Sequence, residues 1–201
     1  MKNSTNPHSH DQIISNSLPK QNYASFVQRM MAYITDSLIL GLLTTGSLAY
    51  LLSINNQVDL IYRSIILITL VFIPAVVFGI IYHAWFLSQS GATLGKQIWG
   101  VEIVDSNHQH LSFGMAFFRE VILKQVSYLS LGLGFLWMIK QSDKQTWHDM
   151  LIGTYAKSTN KPLLISILWF LSVLVVQVGL LYYSISQLPV FIQLLSSFIK
   201  L

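Results

Sequence analysis

Arg29 and Asp36 are the residues of this sequence whose types and spacing first suggest chemistry. They lie seven positions apart at the start of an apolar run, which is two turns of an α-helix and almost the same face. A straight helix separates them by about 10 Å along its axis, so they either share a bridging group or have separate partners. A carboxylate inside an apolar span costs several kcal/mol unless it is paired or protonated. Asp36 is therefore a candidate for a titrating acid that exchanges a proton for a cation.

Charged residues farther along the chain supply candidate partners for this pair. The candidates are the dipeptides Arg119-Glu120 and His148-Asp149. An opposite charge lowers the pKa of a carboxylate and desolvation raises it, so such neighbours could set the pKa of Asp36. The structural alternative is that the same charges only fix helix ends and hold the segments between them.

Two further side chains are secondary candidates. His83 lies near the end of the second apolar run and could relay protons, although its aromatic neighbours favour an anchor at the membrane interface. Lys96 ends the string Gly91–Lys96, which we interpret as a turn that places the lysine near lipid phosphates. Tyr82 and most of the five tryptophans are predicted to form the aromatic belts of a membrane protein.

The motifs of known enzyme classes are missing from the sequence. There is no His-Glu-x-x-His, no Gly-x-Ser-x-Gly and no phosphate-binding loop, since Gly91–Lys96 is one residue too short and follows an apolar run. The sequence contains no cysteine, and His108 with His110 would be too few metal ligands. We therefore expect no enzymatic activity, no cofactor and no metal. The basic pI near 9.3 is attributed to lysines on the cytoplasmic side of a membrane, not to nucleic-acid binding.

The composition places these residues in a membrane protein. The 201 residues are 53% apolar and only 10% charged, compared with roughly 25% charged residues in soluble domains. This excludes a disordered chain, a soluble enzyme and a disulfide-stabilised secreted domain. Three apolar runs reach the roughly 20 residues that a spanning helix needs, at about 31–52, 64–87 and 163–187. The predicted fold is an all-α polytopic membrane protein with three transmembrane helices, the second kinked at Pro74.

The segments outside these spans have other patterns. Residues 1–22 are polar and are predicted to be a disordered cytoplasmic tail, and residues 188–201 are predicted to be an interfacial tail. Residues 98–104 alternate in polarity, as strands do, and residues 153–157 are a second short strand candidate. Because one short strand is not stable alone, we pair the two and place both on the cytoplasmic side.

The stretch 113–139 is long enough to cross once but carries three charges in its first half. The distribution of lysine and arginine decides between two topologies. If the stretch does not cross, ten of the twelve basic residues lie on the side of the N-terminus; if it crosses, the division is seven to five. The first division is the stronger one, so we predict an amphipathic helix followed by a re-entrant or interfacial segment.

Several of these residues occur in an order that resembles the RDD family of integral membrane proteins. The resemblance rests on Arg29, Asp36, Asp149 within Trp147–Thr154, the segments Gly91–Lys96 and Gly100–Asp105, and Leu111-Ser112 followed by Arg119. It extends from about Tyr23 to Lys157 and implies a membrane domain over 23–160, followed by a separate C-terminal part, 161–201. One departure is the turn after Asp105, which lacks the glycine usual in this family. The resemblance implies transport of an ion or ligand that has not been identified.

Two functions remain open at this point. The first is transport of an ion or small ligand through the cluster Arg29, Asp36, Arg119 and Asp149, which requires an oligomer because three or four spans are too few for a pore. The alternative is a non-transporting membrane subunit, assembly factor or scaffold that presents its cytoplasmic strands to a partner. In both cases we expect a protein of the bacterial cytoplasmic (inner) membrane with its N-terminus in the cytoplasm, in contact with the lipid bilayer and either a second copy or another membrane protein.

Overall fold

The structure is a computed structural model that describes residues 22–53 and 56–199. The predicted disordered tail therefore lies outside the described residues, apart from Asn22. The described chain is mostly helical, and three of its helices are long and apolar enough to cross a membrane. This confirms the predicted fold class of three spanning helices with a small two-stranded sheet.

The first helix, α1, spans Phe26–Leu52, so it begins five residues before the predicted start. Ser25 caps it with a capping box: the Ser25 hydroxyl accepts from the backbone N–H of Gln28 at 3.2 Å, and the Gln28 side chain accepts from the Ser25 N–H at 2.9 Å. These bonds satisfy backbone groups that a helix start otherwise leaves unpaired. The early start places Arg29 in the first turn of the helix.

The second helix, α2, is also longer than predicted. It consists of Gln57–Ile66, a π-helical turn over Leu67–Phe72, and Ile73–Ser90. The π-helical turn directly precedes Pro74, which cannot donate a backbone hydrogen bond. Such a turn is a common adjustment of a membrane helix to a proline.

The last helix, α7, spans Leu163–Ile199 without interruption. The helix therefore continues without a break past residue 187, where the sequence predicts that the span ends and an interfacial tail begins. Pro189 lies inside the helix, and membrane helices tolerate an internal proline better than soluble ones. The side chain of Gln177 is buried against α1, where its Oε1 lies 3.3 Å from the hydroxyl of Thr45.

A two-stranded antiparallel sheet lies beside these helices, and its pairing is confirmed. Strand β1 is Val101–Asp105 and β2 is Thr154–Ser158, with Val101 opposite Ser158 and Asp105 opposite Thr154. The first strand is shorter than predicted because a short helix, α3, occupies Leu94–Ile98. Backbone bonds from Ala24 to Ala156 and from Ser158 to Asn22, of 2.8 and 2.7 Å, tie the start of α1 to β2.

The segment between the strands is bent sharply. Helix α4 runs over Phe113–Leu129 with a π-helical turn at Phe118–Leu123, and α5 follows over Leu133–Ile139 at 101° to it. At the bend Gly132 has a φ of 84°, which favours glycine. Because β1 and β2 are hydrogen-bonded to each other, the chain between them returns to the side of the membrane that it left. The geometry therefore fits a re-entrant segment.

A small core lies where the sheet meets the helices. It includes Trp99, Val101 and Ile103 packed against alanines of α1 and α2. Trp99 is buried and donates its indole N–H to the Thr35 hydroxyl at 2.8 Å. Tyr82 is also buried. The prediction that these two aromatic residues belong to interfacial belts is therefore wrong, because their polar atoms bind inside the protein.

The short helix α6, Trp147–Ile152, completes the fold between α5 and β2. Together α1, α3, α4 and α6 carry all the charged residues proposed from the sequence. Their packing brings side chains together that lie up to 120 positions apart in the chain.

Candidate functional site

Asp149 is the centre of a buried charge network. The side chain is fully buried, and each oxygen binds one arginine. Arg29 Nη1 lies 2.5 Å from Oδ2, and Arg119 Nη2 lies 2.6 Å from Oδ1. The structure thus brings together three of the four residues proposed as the main cluster.

Three uncharged groups complete the environment of Asp149. The backbone N–H and the hydroxyl of Thr146 donate to Oδ2 at 3.2 and 2.8 Å, and the Thr154 hydroxyl donates to Oδ1 at 3.2 Å. Burial alone raises the pKa of Asp149, but the guanidinium groups of Arg119 and Arg29 outweigh it and hold that pKa well below its ordinary value. Asp149 is therefore a permanent negative charge at neutral pH.

Glu120 extends the network along α4. It accepts a hydrogen bond from Arg119, and it pairs with Lys124 at 2.9 Å and with Lys96 at 3.9 Å. Neighbouring residues of an α-helix point about 100° apart, yet Arg119 and Glu120 are both buried. They lie in the π-helical turn of α4, a distortion that frequently occurs at functional sites.

Asp36 is bound by other groups than the arginines. Its carboxylate accepts from the Tyr82 hydroxyl at 3.1 Å, the Thr93 hydroxyl at 2.5 Å and the Gly95 N–H at 2.8 Å. Neither of the candidate partners Arg119 and His148 binds it in the structure. Arg29 and Asp36 therefore share no bridging group among the described residues, and each has its own partners.

Gly95 explains why Asp36 has these partners. A side chain at this position would place its Cβ 2.3 Å from the backbone oxygen of Ala32 and 2.8 Å from the Asp36 carboxyl carbon. Only glycine permits such a close approach of α3 to α1. Asp36 thus binds the start of α3 and fixes it against α1.

Lys96 connects the two parts of the site. Its ammonium group lies 3.4 Å from the hydroxyl of Thr93, which binds Asp36, and 3.9 Å from Glu120. Its side chain is only 14% exposed, so its predicted position near lipid phosphates is wrong. The reason is the docking of α3, which turns the lysine inward. Burial lowers the pKa of Lys96, and the nearby Glu120 carboxylate opposes that shift.

The two histidines of the prediction both face this region. His148 is buried, and its Nδ1 lies 3.0 Å from the Ser127 hydroxyl. Burial, and after it the charge of Arg119, lowers the pKa of His148 from 6.5 to about 3. His148 is therefore neutral at physiological pH. His83 is only partly exposed, and its Nδ1 is buried with no hydrogen-bond partner among the described residues.

The network borders a chamber of about 400 Å³. Its floor is buried and includes Asp36, Arg119, Glu120 and His148. Its rim is exposed and apolar, and consists of Met30, Tyr33, Tyr128, Leu131 and Leu136. Within the described part of the chain, no three side chains of His, Asp or Glu are placed to share a metal ion.

Several residues of the site were not predicted from the sequence. They are Tyr82, Thr93, Lys124, Thr146 and Thr154. Two of them had a local signal: Lys124 lies four residues after Glu120, the spacing of helical ion pairs, and Thr146 lies three residues before Asp149, the spacing of a capping box. Tyr82, Thr93 and Thr154 had no such signal, because they meet their carboxylates only through the fold.

The fold and the site together define an integral membrane protein in which a network of arginine, lysine and carboxylate side chains is buried beside a chamber. Comparison with protein families gives the same class: the model of the RDD family matches residues 23–153. This is well over half of the chain, so the protein belongs to the RDD family, as the resemblance suggested. The comparisons with curated proteins and with solved structures found no match.

Proposed function

We propose that this protein takes part in transport of an ion or small ligand across a membrane, and that the chamber binds what is transported. The observation that carries the proposal is a cavity of about 400 Å³ whose floor is a network of charges. Ionisable groups enclosed in a membrane protein are costly and usually mark ion or substrate pathways. A few polar groups on the floor of an apolar cavity are also typical of small-molecule sites.

The protein would act without enzymatic chemistry, cofactor or nucleic acid. Transport by alternating access needs more helices than three spans supply, so we propose that the chain works as a homo-oligomer or with another membrane protein. The exposed apolar faces of α2 and α7 provide surface both for lipid and for such a contact.

We further propose a place in a bacterial inner membrane, with the N-terminus and the sheet in the cytoplasm. The support is the excess of lysine and arginine on that side when α4 and α5 return to it. The chain has no cysteine, so one cysteine at the exposed Ser142 reports its side alone. We expect a membrane-impermeant thiol reagent to reach it only after the inner membrane is opened; labelling of intact spheroplasts would contradict this orientation.

Flux in liposomes tests the transport proposal. The purified full chain is reconstituted, and proton and sodium movements are followed with pH- and sodium-sensitive dyes. We expect flux above that of empty liposomes, and loss of most of it in Asp36→Asn and in Lys124→Gln. The matched control is Asp59→Asn, which removes an exposed carboxylate that does not line the chamber.

The variants also separate transport from the alternative role as a subunit or scaffold. If wild type and Asp59→Asn both carry no flux of any tested ion, ion transport is refuted. If all variants carry the same flux, the chamber is not the pathway. Circular dichroism of each variant in the same detergent excludes loss of fold as the cause of lost flux, and Lys124→Gln changes a side chain that does not hold α3.

A further inference from the structure

The charges around the chamber do not balance. Four cations line it, Arg29, Lys96, Arg119 and Lys124, against two carboxylates. Asp149, which lies behind the two arginines, supplies a third negative charge. One formal positive charge therefore remains in excess in this part of the structure. A buried charge without a counter-charge is destabilising, so a bound group with one negative charge would stabilise the site.

Two residues that line the same chamber also contain polar nitrogens that lack hydrogen-bond partners. Arg29 Nε and His83 Nδ1 are buried and have no partner among the described residues. Lys96 carries three donors, and its one hydrogen bond in the described part of the chain is a long one of 3.4 Å to Thr93. An unmade buried hydrogen bond is costly, and a carboxylate or phosphate group accepts several donors at once.

The walls of the chamber require a different chemistry from the floor. Leu131 at the rim is 95% exposed, and Met30 and Leu136 beside it are exposed as well. These side chains are apolar. Met30 lies on α1, Leu136 on α5 and Leu131 in the bend between α4 and α5, and both α1 and the bent pair α4–α5 are apolar enough for a membrane. A free inorganic anion could bind the charged floor but would make no contact with this rim, whereas the apolar chain of an amphiphile would cover it.

We propose that the chamber binds an anionic amphiphile: a carboxylate or phosphate headgroup at Arg29, Lys96 and Lys124, with one apolar chain that leaves past Leu131 and Leu136. This rests on the proposed function, in which the chamber is the ligand site, and names the class of ligand. The cations hold the headgroup by charge-assisted hydrogen bonds, and the rim contacts the chain.

Binding of radiolabelled palmitate to the full chain tests this inference. The protein is placed in nanodiscs of phosphatidylcholine, and the signal of empty nanodiscs is subtracted. We expect saturable binding, displaced by unlabelled palmitate and by lysophosphatidic acid. Hexadecanol, which has the same chain without the charge, and acetate or inorganic phosphate, which have the charge without the chain, should not displace it.

Two pairs of variants locate the binding. Lys124→Gln should weaken palmitate binding by about tenfold or more, the effect of one lost hydrogen bond to a charged group, whereas Lys140→Gln removes an equal charge at an exposed position outside the chamber. Leu131→Asn should also weaken palmitate binding, because it removes an apolar contact with the acyl chain of the ligand. Asparagine tolerates the φ of 54° at this position. Leu129→Asn, 85% exposed at the same bend but not part of the chamber, should bind as wild type does.

Each contrary outcome has a definite meaning. Equal displacement by hexadecanol overturns the selectivity for an anion. Equal displacement by acetate or phosphate means that a free anion is the ligand; this overturns the amphiphile while the transport proposal stands. If the protein carries ion flux but shows no saturable palmitate binding, the amphiphile is likewise overturned and the transport proposal stands. Saturable binding in a protein that carries no proton or sodium flux supports this inference and refutes transport of those two ions.

Discussion

Replacing Asp149 by asparagine should be the most destabilising conservative change in the described chain. The carboxylate accepts hydrogen bonds from Arg29 and Arg119, and from three groups of Thr146 and Thr154. Asparagine has nearly the same shape, but it removes the negative charge and turns an NH2 group toward donors. The two arginines then lose their common partner.

The size of the loss in stability depends on the hydrogen bonds that each arginine retains in Asp149→Asn. Arg119 keeps its bond to Glu120, whereas Arg29 keeps, among the described residues, only the carbonyl oxygen of Lys144, at 2.6 Å. Removal of one partner from a buried ion pair typically costs about 3–5 kcal/mol. We expect a loss of that size in the free energy of unfolding for Asp149→Asn. By contrast, Asp59→Asn breaks an exposed pair of 3.9 Å and should cost no more than about 1 kcal/mol.

Titration with SDS from nonionic micelles, followed by circular dichroism, measures these free energies. A double-mutant cycle with Arg29→Gln identifies the cause. Because Arg29→Gln removes the cation left unpaired by Asp149→Asn, the double variant should lose less than the sum of the two single losses, by about 0.5–3 kcal/mol. The reasoning is refuted if Asp149→Asn unfolds within about 1 kcal/mol of wild type, or if the two losses simply add.

Three further predictions concern single side chains. The folded protein should lose stability as the pH falls from about 6.5 toward 3, because His148 becomes protonated in that range in the unfolded chain but not in the folded protein. SDS titrations at pH 7 and at pH 4.5 measure this loss, and it should be smaller in His148→Gln. Gly95→Ala should cost about 3 kcal/mol or more, since its Cβ would overlap the backbone of Ala32, whereas Gly46→Ala, which meets no atom within 4 Å, should be neutral or stabilising in thermal unfolding. Gln177→Leu should cost less than about 2 kcal/mol and leave the thermal unfolding cooperative, because one polar contact adds little to the packing of α7 on α1; a larger loss would contradict this.

The three spanning helices were predictable because their signal is local. An apolar run of about 20 residues has few other stable structures in a membrane. The errors lie at the ends, where polar residues continue a helix. Ser25 and Gln28 have the spacing of a capping box, and that spacing marks the start of α1 better than the apolar run does. In the last helix, the polar residues after residue 187 predict the end of the span, yet the helix continues through Pro189.

The partners within the site were predictable only in part. Local helix geometry correctly excluded direct contact between Arg29 and Asp36, but it left open whether a third group bridges them or each has its own partner. It could not assign those partners, because Arg29 meets Asp149 across 120 positions of sequence. Lys96 shows the limit most clearly. Small and polar neighbours made it resemble a surface residue, yet the contact of Gly95 with α1 turns it inward.

The two buried aspartates differ in what a ligand could do to them. Asp149 is bound by two arginines and contributes a constant negative charge, so it reduces by one the number of positive charges that a ligand could balance. Asp36 is bound by uncharged donors that also hold α3, so a change in its charge would act on the position of Lys96. A network that served only to hold helices together would be expected to pair its charges, because each unpaired one costs stability. In this protein the cations around the chamber outnumber the carboxylates. In addition, one nitrogen of Arg29 and one of His83 have no hydrogen-bond partner among the described residues. This arrangement, beside a chamber large enough for a ligand, is expected when the missing negative charge comes from a bound ligand.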